Sequence, residues 1–381
     1  MNEKITQALD YIGQDQWLKA KDILQDLIAQ EPETEIFYEL YGYCLRRLET
    51  EDFGEYVPRS QKEEDPHLAK IRQKAEALSK AGNYRSAEVV WQMLAHCMEK
   101  KLTENPPART GFFSKDMLAL AQTYRAQAMC GYLRGDLSAA KENFSHSKEI
   151  ELHTYRDLPV SCAKIYAEMR DFAQADNILL TALEESNEGV LSYEVHRARA
   201  EIFEKSGPAD LAKSEYEVAL SDLEEQVAKE PLDMRFYPAM ADVLDKLGRT
   251  EEALKANAKA VALWSTYPKT YFQRAKLLAA RKDEKGALKQ VALGKLCEVY
   301  YPGEYFLDEG EVYERLGRWS KAEACYLAVS SADARYEALK RLYTRRNTPK
   351  KLEKYVSRMK NKKTPFWDRV SEIQLAEELY N

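Results

Sequence analysis

Few residues of this sequence have the types and spacing that catalysis needs. Ser145 and Lys148 match the Ser-x-x-Lys pattern of a nucleophile and its base, but both fall inside a segment with the periodicity of an amphipathic helix. His96 and Cys97 are adjacent in the sequence, so they point to different sides of a helix. The five histidines are widely separated and are His67, His96, His146, His153 and His196. We therefore predict no catalytic residue, no bound metal and no cofactor.

The motifs of common enzyme classes are also missing. The sequence contains no GxxxxGK[ST], GxGxxG, HExxH or GxSxG. Its six cysteines lack CxxC spacing, which is typical of reduced thiols in a cytosolic protein. Residues 1–22 lack the apolar core of a secretory signal, and no window is apolar enough to cross a bilayer. We expect a non-enzymatic, cytoplasmic protein.

Charge is unevenly distributed along the chain. The formal net charge is −6, yet residues 335–363 contain twelve basic and two acidic residues. This segment therefore carries +10 and the remainder of the chain −16. Such polarity favours binding to partners of opposite charge.

Helices must position all of these residues. Glycine and proline are scarce, at 15 and 13 of 381 residues, and charged residues make up 31%, which is the composition of a helical protein. A turn residue is followed five positions later by a small residue in a series of pairs with a period near 34 residues, typical of helix-turn-helix solenoids. The pairs are Asp15 and Ala20, Gly82 and Ala87, Gly135 and Ala140, Arg170 and Ala175, Gly207 and Ala212, Gly248 and Ala253, Lys282 and Ala287, and Gly317 and Ala322, with Asn347 and Leu352 as a weaker member.

Each pair has a physical role in joining two helices. The turn residue ends the first helix, and the small residue lets the second helix approach it closely. A larger residue farther along packs against the next repeat. These larger residues are Trp91, Phe144, Leu179, Tyr216, Val291 and Tyr326.

The pattern resembles the tetratricopeptide repeat family. The clearest match is YEVHRARAEIFEKSGPADLAKSEYEVAL, followed by YPAMADVLDKLGRTEEALKANAKAVAL. The resemblance covers most of the chain and implies an all-α, right-handed superhelical solenoid. We expect an N-terminal repeat and a following helix in residues 1–50, an interrupting loop at 51–65, and an array over 66–365. Within the array we expect an insertion near 103–114 and a basic part at 335–363, and after it a capping helix at 366–381.

The resemblance also implies a concave groove lined by the first helix of each repeat. The groove positions carried over by register are mixed in charge and lean acidic. They are Glu194, Arg197, Glu201, Arg235, Asp242, Asp245, Lys269, Phe272, Lys276, Glu304, Leu307 and Glu311. The basic residue set with which some relatives grip a C-terminal carboxylate is absent at the matching positions. We therefore predict a scaffold or adaptor that binds protein or peptide segments of basic character.

The basic segment supports an alternative. Its cations, interleaved with Tyr343 and Tyr355, could bind nucleic acid phosphates or an acidic protein. The candidate residues are Arg341, Arg345, Arg346, Lys350, Lys351, Lys354 and Arg358. A further alternative is a regulatory sensor that changes its superhelical pitch when it binds a signalling peptide.

Overall fold

The structure, a computed structural model, describes residues 2–14, 16–30, 35–49, 65–104, 115–156, 158–184, 191–264, 267–297 and 305–380. These residues form α-helices and one 3-10 helix, and none of them lies in a strand. The all-α prediction is confirmed. Most of the predicted loop at 51–65 and of the predicted insertion at 103–114 lies outside the described residues.

The helices follow one another in pairs separated by short turns. They are α1 (Asn2–Gly13), α2 (Trp17–Gln30), α3 (Glu35–Glu49), α4 (Pro66–Ala81), α5 (Tyr84–Glu104), α6 (Lys115–Leu133), α7 (Leu137–Thr154), α8 (Pro159–Glu168), α9 (Phe172–Glu184), α10 (Ser192–Ser206), α11 (Ala209–Lys229), α12 (Phe236–Lys246), α13 (Thr250–Leu263), α14 (Pro268–Ala280), α15 (Glu284–Cys297), α16 (Tyr305–Arg315), α17 (Trp319–Ala328), α18 (Ala332–Arg345), α19 (Pro349–Met359) and α20 (Glu372–Tyr380). The 3-10 helix spans Phe366–Asp368.

The predicted turn residues have a shared backbone conformation. Each of the eight that the structure describes has a positive φ, and no other described residue does. Glycine adopts this left-handed region without strain, which explains its use at five of the turns. The values are 78° at Gly82, 86° at Gly135, 62° at Arg170, 117° at Gly207, 77° at Gly248, 66° at Lys282, 73° at Gly317 and 51° at Asn347.

The alanines that follow these turns are buried contact points between paired helices. Ala253 is fully buried and Ala212 is 3% exposed, and the others of the series from Ala20 to Ala322 have no exposed surface. The larger residues predicted to pack against the next repeat are buried as well, including Trp91, Phe144 and Tyr326. The helix-turn-helix repeat is therefore confirmed in its turn and in its contacts.

The chain divides into two compact units, and each contains two separate stretches of sequence. Unit 1 comprises Met1–Pro58 and Val190–Ser330, and unit 2 comprises Arg59–Gly189 and Ser331–Asn381. The domain boundaries inferred from the sequence stay a prediction.

In unit 1 the N-terminal helices pack against α13. Gly42 of α3 lies so close to Ala262 of α13 that an added Cβ would overlap the Ala262 carbonyl group. The Tyr38 and Tyr237 hydroxyls lie 3.0 Å apart, and that of Tyr237 also donates to the Pro231 carbonyl at 2.9 Å. One apolar cluster therefore joins α1 to α3 with α12 and α13.

In unit 2 the C-terminal residues join the core of α4 to α7. Phe366, Val370, Leu375 and Leu379 belong to the same buried cluster as Trp91. The Trp367 ring packs edge-on against the Trp91 ring, with centroids 6.0 Å apart. The helix that was predicted to cap the array thus packs against several helices of unit 2.

Candidate functional site

The predicted groove residues that the structure describes lie on the first helices of successive repeats in unit 1, α10, α12, α14 and α16, apart from Arg235, which directly precedes α12. We call the surface formed by these four helices the groove face. Glu194, Arg197 and Glu201 lie on α10 and are all half-buried. Arg197 and Glu201 form a loose ion pair at 3.9 Å.

A polar chain connects the interior of unit 1 to this face. Asn257 of α13 is fully buried, and its amide donates to the Gln273 side-chain oxygen at 2.8 Å. The Gln273 amide donates in turn to the Pro238 carbonyl at 2.8 Å and to the Asp242 carboxylate at 2.6 Å. Three helices thereby fix the position of Asp242, which reaches solvent.

Asp242 has a carboxyl group that is recessed among its neighbours. Partial burial raises the pKa of Asp242, and Asp245 adds to the rise, while Gln273, Lys276 and Arg197 oppose it. The net pKa lies above the ordinary aspartate value. The neighbouring groups therefore do not fully compensate the carboxylate charge, and a further cation near Asp242 would be attracted to it.

Two cations join the other groove acids across helices. Arg315 of α16 donates to both carboxylate oxygens of Asp245 on α12, at 3.0 and 2.6 Å. Lys276 of α14 lies 3.0 Å from Asp308 and 3.3 Å from Glu311. Burial lowers the pKa of Lys276, but these acids and Asp242 outweigh it and raise the pKa above its ordinary value. The Lys276 ammonium therefore stays charged.

Charge on the groove face remains unbalanced after this pairing. The four helices together carry nine acids and eight bases, but the residues in and beside this network are six acids and three bases, a local excess of three negative charges when all are ionised. The acids are Glu194, Glu201, Asp242, Asp245, Asp308 and Glu311, and the bases are Arg197, Lys276 and Arg315.

The other predicted groove residues are not part of this network. Phe272 is a core residue instead of a groove residue: it is 1% exposed and stacks on Tyr305 with ring centroids 6.0 Å apart. Arg235 is exposed and pairs with nearby Asp233 at 2.6 Å. Lys269 is exposed and Leu307 is half-buried. Glu304 lies outside the described residues.

The members of the network that sequence reasoning missed include Gln273 and Asp308. Each directly follows a predicted residue, Phe272 or Leu307. The polar character of Gln273 and Asp308 could have shown that the true groove position is one residue later on α14 and α16, since a step of one residue moves a side chain by more than a quarter of a helical turn.

Comparisons with known proteins found one family model and several solved structures that are similar to this chain. The model of the bacterial transcriptional activator domain matches residues 180–265. Yeast Tom70 has 13% identity and a TM-score of 0.38, over 99% of this chain and 88% of that one. A tetratricopeptide repeat protein from Parabacteroides merdae has 14% identity and a TM-score of 0.35, over 83% and 97%. The Cut9–Hcn1 complex of the APC/C has 14% identity and a TM-score of 0.37, over 93% and 71%. No curated protein matches the sequence.

The left-handed turns, spaced as the family pattern requires and each followed by a buried alanine, decide the fold. The fold is that of a tetratricopeptide repeat protein. None of the described helices is both long enough and apolar enough to cross a membrane.

The seven residues predicted to form a basic patch are exposed to solvent. They lie on α18, on α19 and in the turn between them. Lys351 lies over the Tyr343 ring at 5.6 Å. Glu353 is the single acid between residues 341 and 363. The side chains of α19 thus present a cationic surface in unit 2.

The Ser-x-x-Lys pair has structural partners in the repeat fold. The Ser145 hydroxyl lies 2.6 Å from the Tyr380 hydroxyl. Lys148 is 2% exposed and pairs with Glu151 at 3.0 Å, with Glu168 at 2.7 Å, and with Glu372. These three glutamates are close enough together to suit a metal ion, but the Lys148 ammonium takes the position of the cation.

Proposed function

We propose that this protein is a non-catalytic scaffold whose groove face binds basic segments of partner proteins. The observation that carries the proposal is the local excess of three negative charges among the residues in and beside the polar network of the groove face. A cytoplasmic location is part of the proposal, because all six cysteines are free thiols.

Recognition would rest on several weak contacts. Asp242 supplies a recessed carboxylate, and the Asp245–Arg315 and Lys276–Asp308 pairs hold neighbouring acids in place. An arginine or lysine of the partner near Asp242 would pair with this carboxylate and lower its pKa. Such surface charges set partner choice and association rate more than affinity, so binding should weaken as salt is added.

The match to the bacterial transcriptional activator domain supports a second candidate, a regulatory sensor. The matched residues 180–265 include α10 to α13, which provide half of the groove face. In this case a bound segment would change the arrangement of the repeats. Small-angle scattering would then show compaction when a groove-binding peptide is added. An unchanged scattering profile would count against the sensor and favour the scaffold.

The basic surface of unit 2 supports a third candidate, binding to nucleic acid or to an acidic protein. Its seven exposed cations could release counterions from phosphates. The experiment below separates this candidate from the groove face.

Affinity purification from native cell extract, with and without nuclease, tests the scaffold function. The groove-neutral variant carries Glu194→Gln, Glu201→Gln and Asp242→Asn, and the outer-face variant carries Glu217→Gln, Glu224→Gln and Glu251→Gln on the second helices α11 and α13. The third variant changes Lys350, Lys351, Lys354 and Arg358 to Glu. Both neutral variants remove the same charge by isosteric changes.

We expect a nuclease-resistant protein to bind the wild type, the outer-face variant and the basic-surface variant, and to be lost from the groove-neutral variant. Retention by the groove-neutral variant would refute a role for the groove face. Loss of every partner upon nuclease treatment, or with the basic-surface variant alone, would assign binding to α18 and α19 instead.

A further inference from the structure

The C-terminal segment, residues 364–380, lies on the face of unit 2 that corresponds to the groove face of unit 1. Arg125 of α6 precedes Ala140 by the same number of residues as Arg197 of α10 precedes Ala212. Tyr132 and Glu204 correspond to each other in the same way. Ser79 of α4 precedes Ala87 by the same number of residues as Tyr132 precedes Ala140. All three residues contact the segment. The first helices of two successive repeats in unit 2 therefore hold a piece of the same chain.

Arg369 is the first anchor of the segment. Its guanidinium is fully buried, and its hydrogen-bond partners among the described residues are carbonyls and a hydroxyl. It donates to the Ser79 and Lys80 carbonyls at 2.8 Å each, and to the Tyr84 hydroxyl at 2.7 Å. The two carbonyls belong to the last turn of α4, where unpaired acceptors and the negative end of the helix dipole favour a cation.

Glu372 is the second anchor, at the start of α20. Its carboxylate pairs with Arg125 of α6 and with the buried Lys148 of α7. Burial raises the pKa of Glu372, but these two cations outweigh it, and the pKa falls below its ordinary value. The carboxylate is therefore charged and neutralised in place.

Aromatic and polar contacts complete the fit around these anchors. The Arg125 guanidinium lies 5.7 Å from the centre of the Trp367 ring. The Tyr132 hydroxyl donates to Glu378 at 2.5 Å. Trp367, Arg369 and Glu372 thus form a W-x-R-x-x-E pattern that is matched, group by group, by the helices beneath it.

We propose that this face of unit 2 is a peptide-binding groove, that the C-terminal segment is its internal ligand, and that a partner segment with the W-x-R-x-x-E pattern directly before a helix binds once the internal ligand leaves. This proposal is independent of the groove face in unit 1. The anchors are directional charges and hydrogen bonds, which specify a ligand by its chemistry. The partner is thus a segment that carries an aromatic residue and an arginine directly before a helix, with a glutamate at the first position of that helix.

Covalent connection keeps the internal ligand in place. Asn361, Lys362 and Lys363 are exposed and link the segment to α19. A short linker gives its ligand an effective concentration in the millimolar range. A free peptide therefore competes at a disadvantage, which cutting the link removes.

The test uses the full chain with a specific protease site inserted after Lys360. After cleavage, the protein is incubated with an excess of fluorescent synthetic peptide 361–381, and exchange is followed by anisotropy and size-exclusion chromatography. We expect the labelled peptide to replace the cut segment while unit 2 keeps its helical circular dichroism. The peptide with Arg369→Ala should bind about 100-fold more weakly.

A peptide with Lys363→Ala is the matched control, because this cation is exposed. It should bind like the unchanged peptide. Two results would overturn the proposal. The cut segment could stay bound through long dilution without exchanging, or unit 2 could lose its helical signal when the segment leaves. Either result would make the segment an integral part of the core.

Discussion

Arg369 donates a hydrogen bond to the carbonyl of Ser79 at 2.8 Å, across 290 residues of sequence. This contact ties the C-terminal segment to the end of α4, where the chain turns at Gly82. Two distant stretches of sequence therefore share one core in unit 2.

Arg369→Ala in the intact chain should destabilise unit 2. The change removes hydrogen bonds to four carbonyls and one hydroxyl and leaves buried acceptors unpaired. We expect a loss of at least ~3 kcal/mol in the free energy of unfolding, measured by urea denaturation. Lys363→Ala should leave the midpoint unchanged. Equal midpoints for the two variants would show that the Arg369 contacts do not hold the segment.

Gly42→Ala should separate α3 from α13. The added methyl would overlap the Ala262 carbonyl group, so the two helices would have to shift apart. We expect a loss of about 1–3 kcal/mol or more, visible as a lower midpoint of thermal unfolding.

Gly13→Ala is the control for Gly42→Ala, because nothing lies within 4 Å of a Cβ at that position. It should be neutral or slightly stabilising, since alanine favours helices over glycine. A Gly42→Ala protein as stable as the Gly13→Ala protein would contradict the close crossing of α3 and α13.

Ala212→Leu and Ala253→Leu should each push apart the paired helices of one repeat. Both alanines are buried at the contact that follows the turn, so the larger side chain costs about 1–3 kcal/mol. Ala209→Leu, at the exposed start of α11, is the matched control and should change little. Differential scanning calorimetry of the three variants tests this. If all three variants unfold at the same temperature as the wild type, the register of these repeats is wrong.

Asp242→Asn should change how stability depends on pH. Partial burial raises the pKa of Asp242 in the folded chain. This carboxyl therefore favours folding below its unfolded pKa, and that contribution is lost as pH rises through the folded pKa. Asparagine keeps an oxygen that can accept from Gln273 but does not titrate.

The Asp242→Asn protein should accordingly be more stable than the wild type at pH 7, and the difference should vanish towards pH ~3.5. Denaturant unfolding at a series of pH values measures it. A difference that grows as pH falls would show that the pKa shift has the opposite sign.

The repeat itself could be predicted from the sequence because its physics is local. A turn residue and an alanine five positions later act within one helix pair, so Gly248 with Ala253 and Arg170 with Ala175 reveal their roles in a single stretch. The arginine at a left-handed turn is identified by its place in the series, since its residue type alone would not suggest it.

The contacts between distant helices could not be predicted in this way. Nothing near Gly42 indicates that it meets Ala262, and nothing near Arg369 indicates the end of α4. On the groove face, the register of α14 was placed one residue early, at Phe272. Both helix positions are compatible with the repeat pattern, and only packing against Tyr305 separates them.

The most direct test of the central claim is a selection of random peptides on the wild-type protein, followed by binding titrations on its variants. The acidic excess on the groove face predicts that selected peptides carry net positive charge. They should bind the groove-neutral variant about 10-fold more weakly than the outer-face variant, because three favourable charges are removed. Selected peptides without positive charge, or equal affinity for the two variants, would contradict the account.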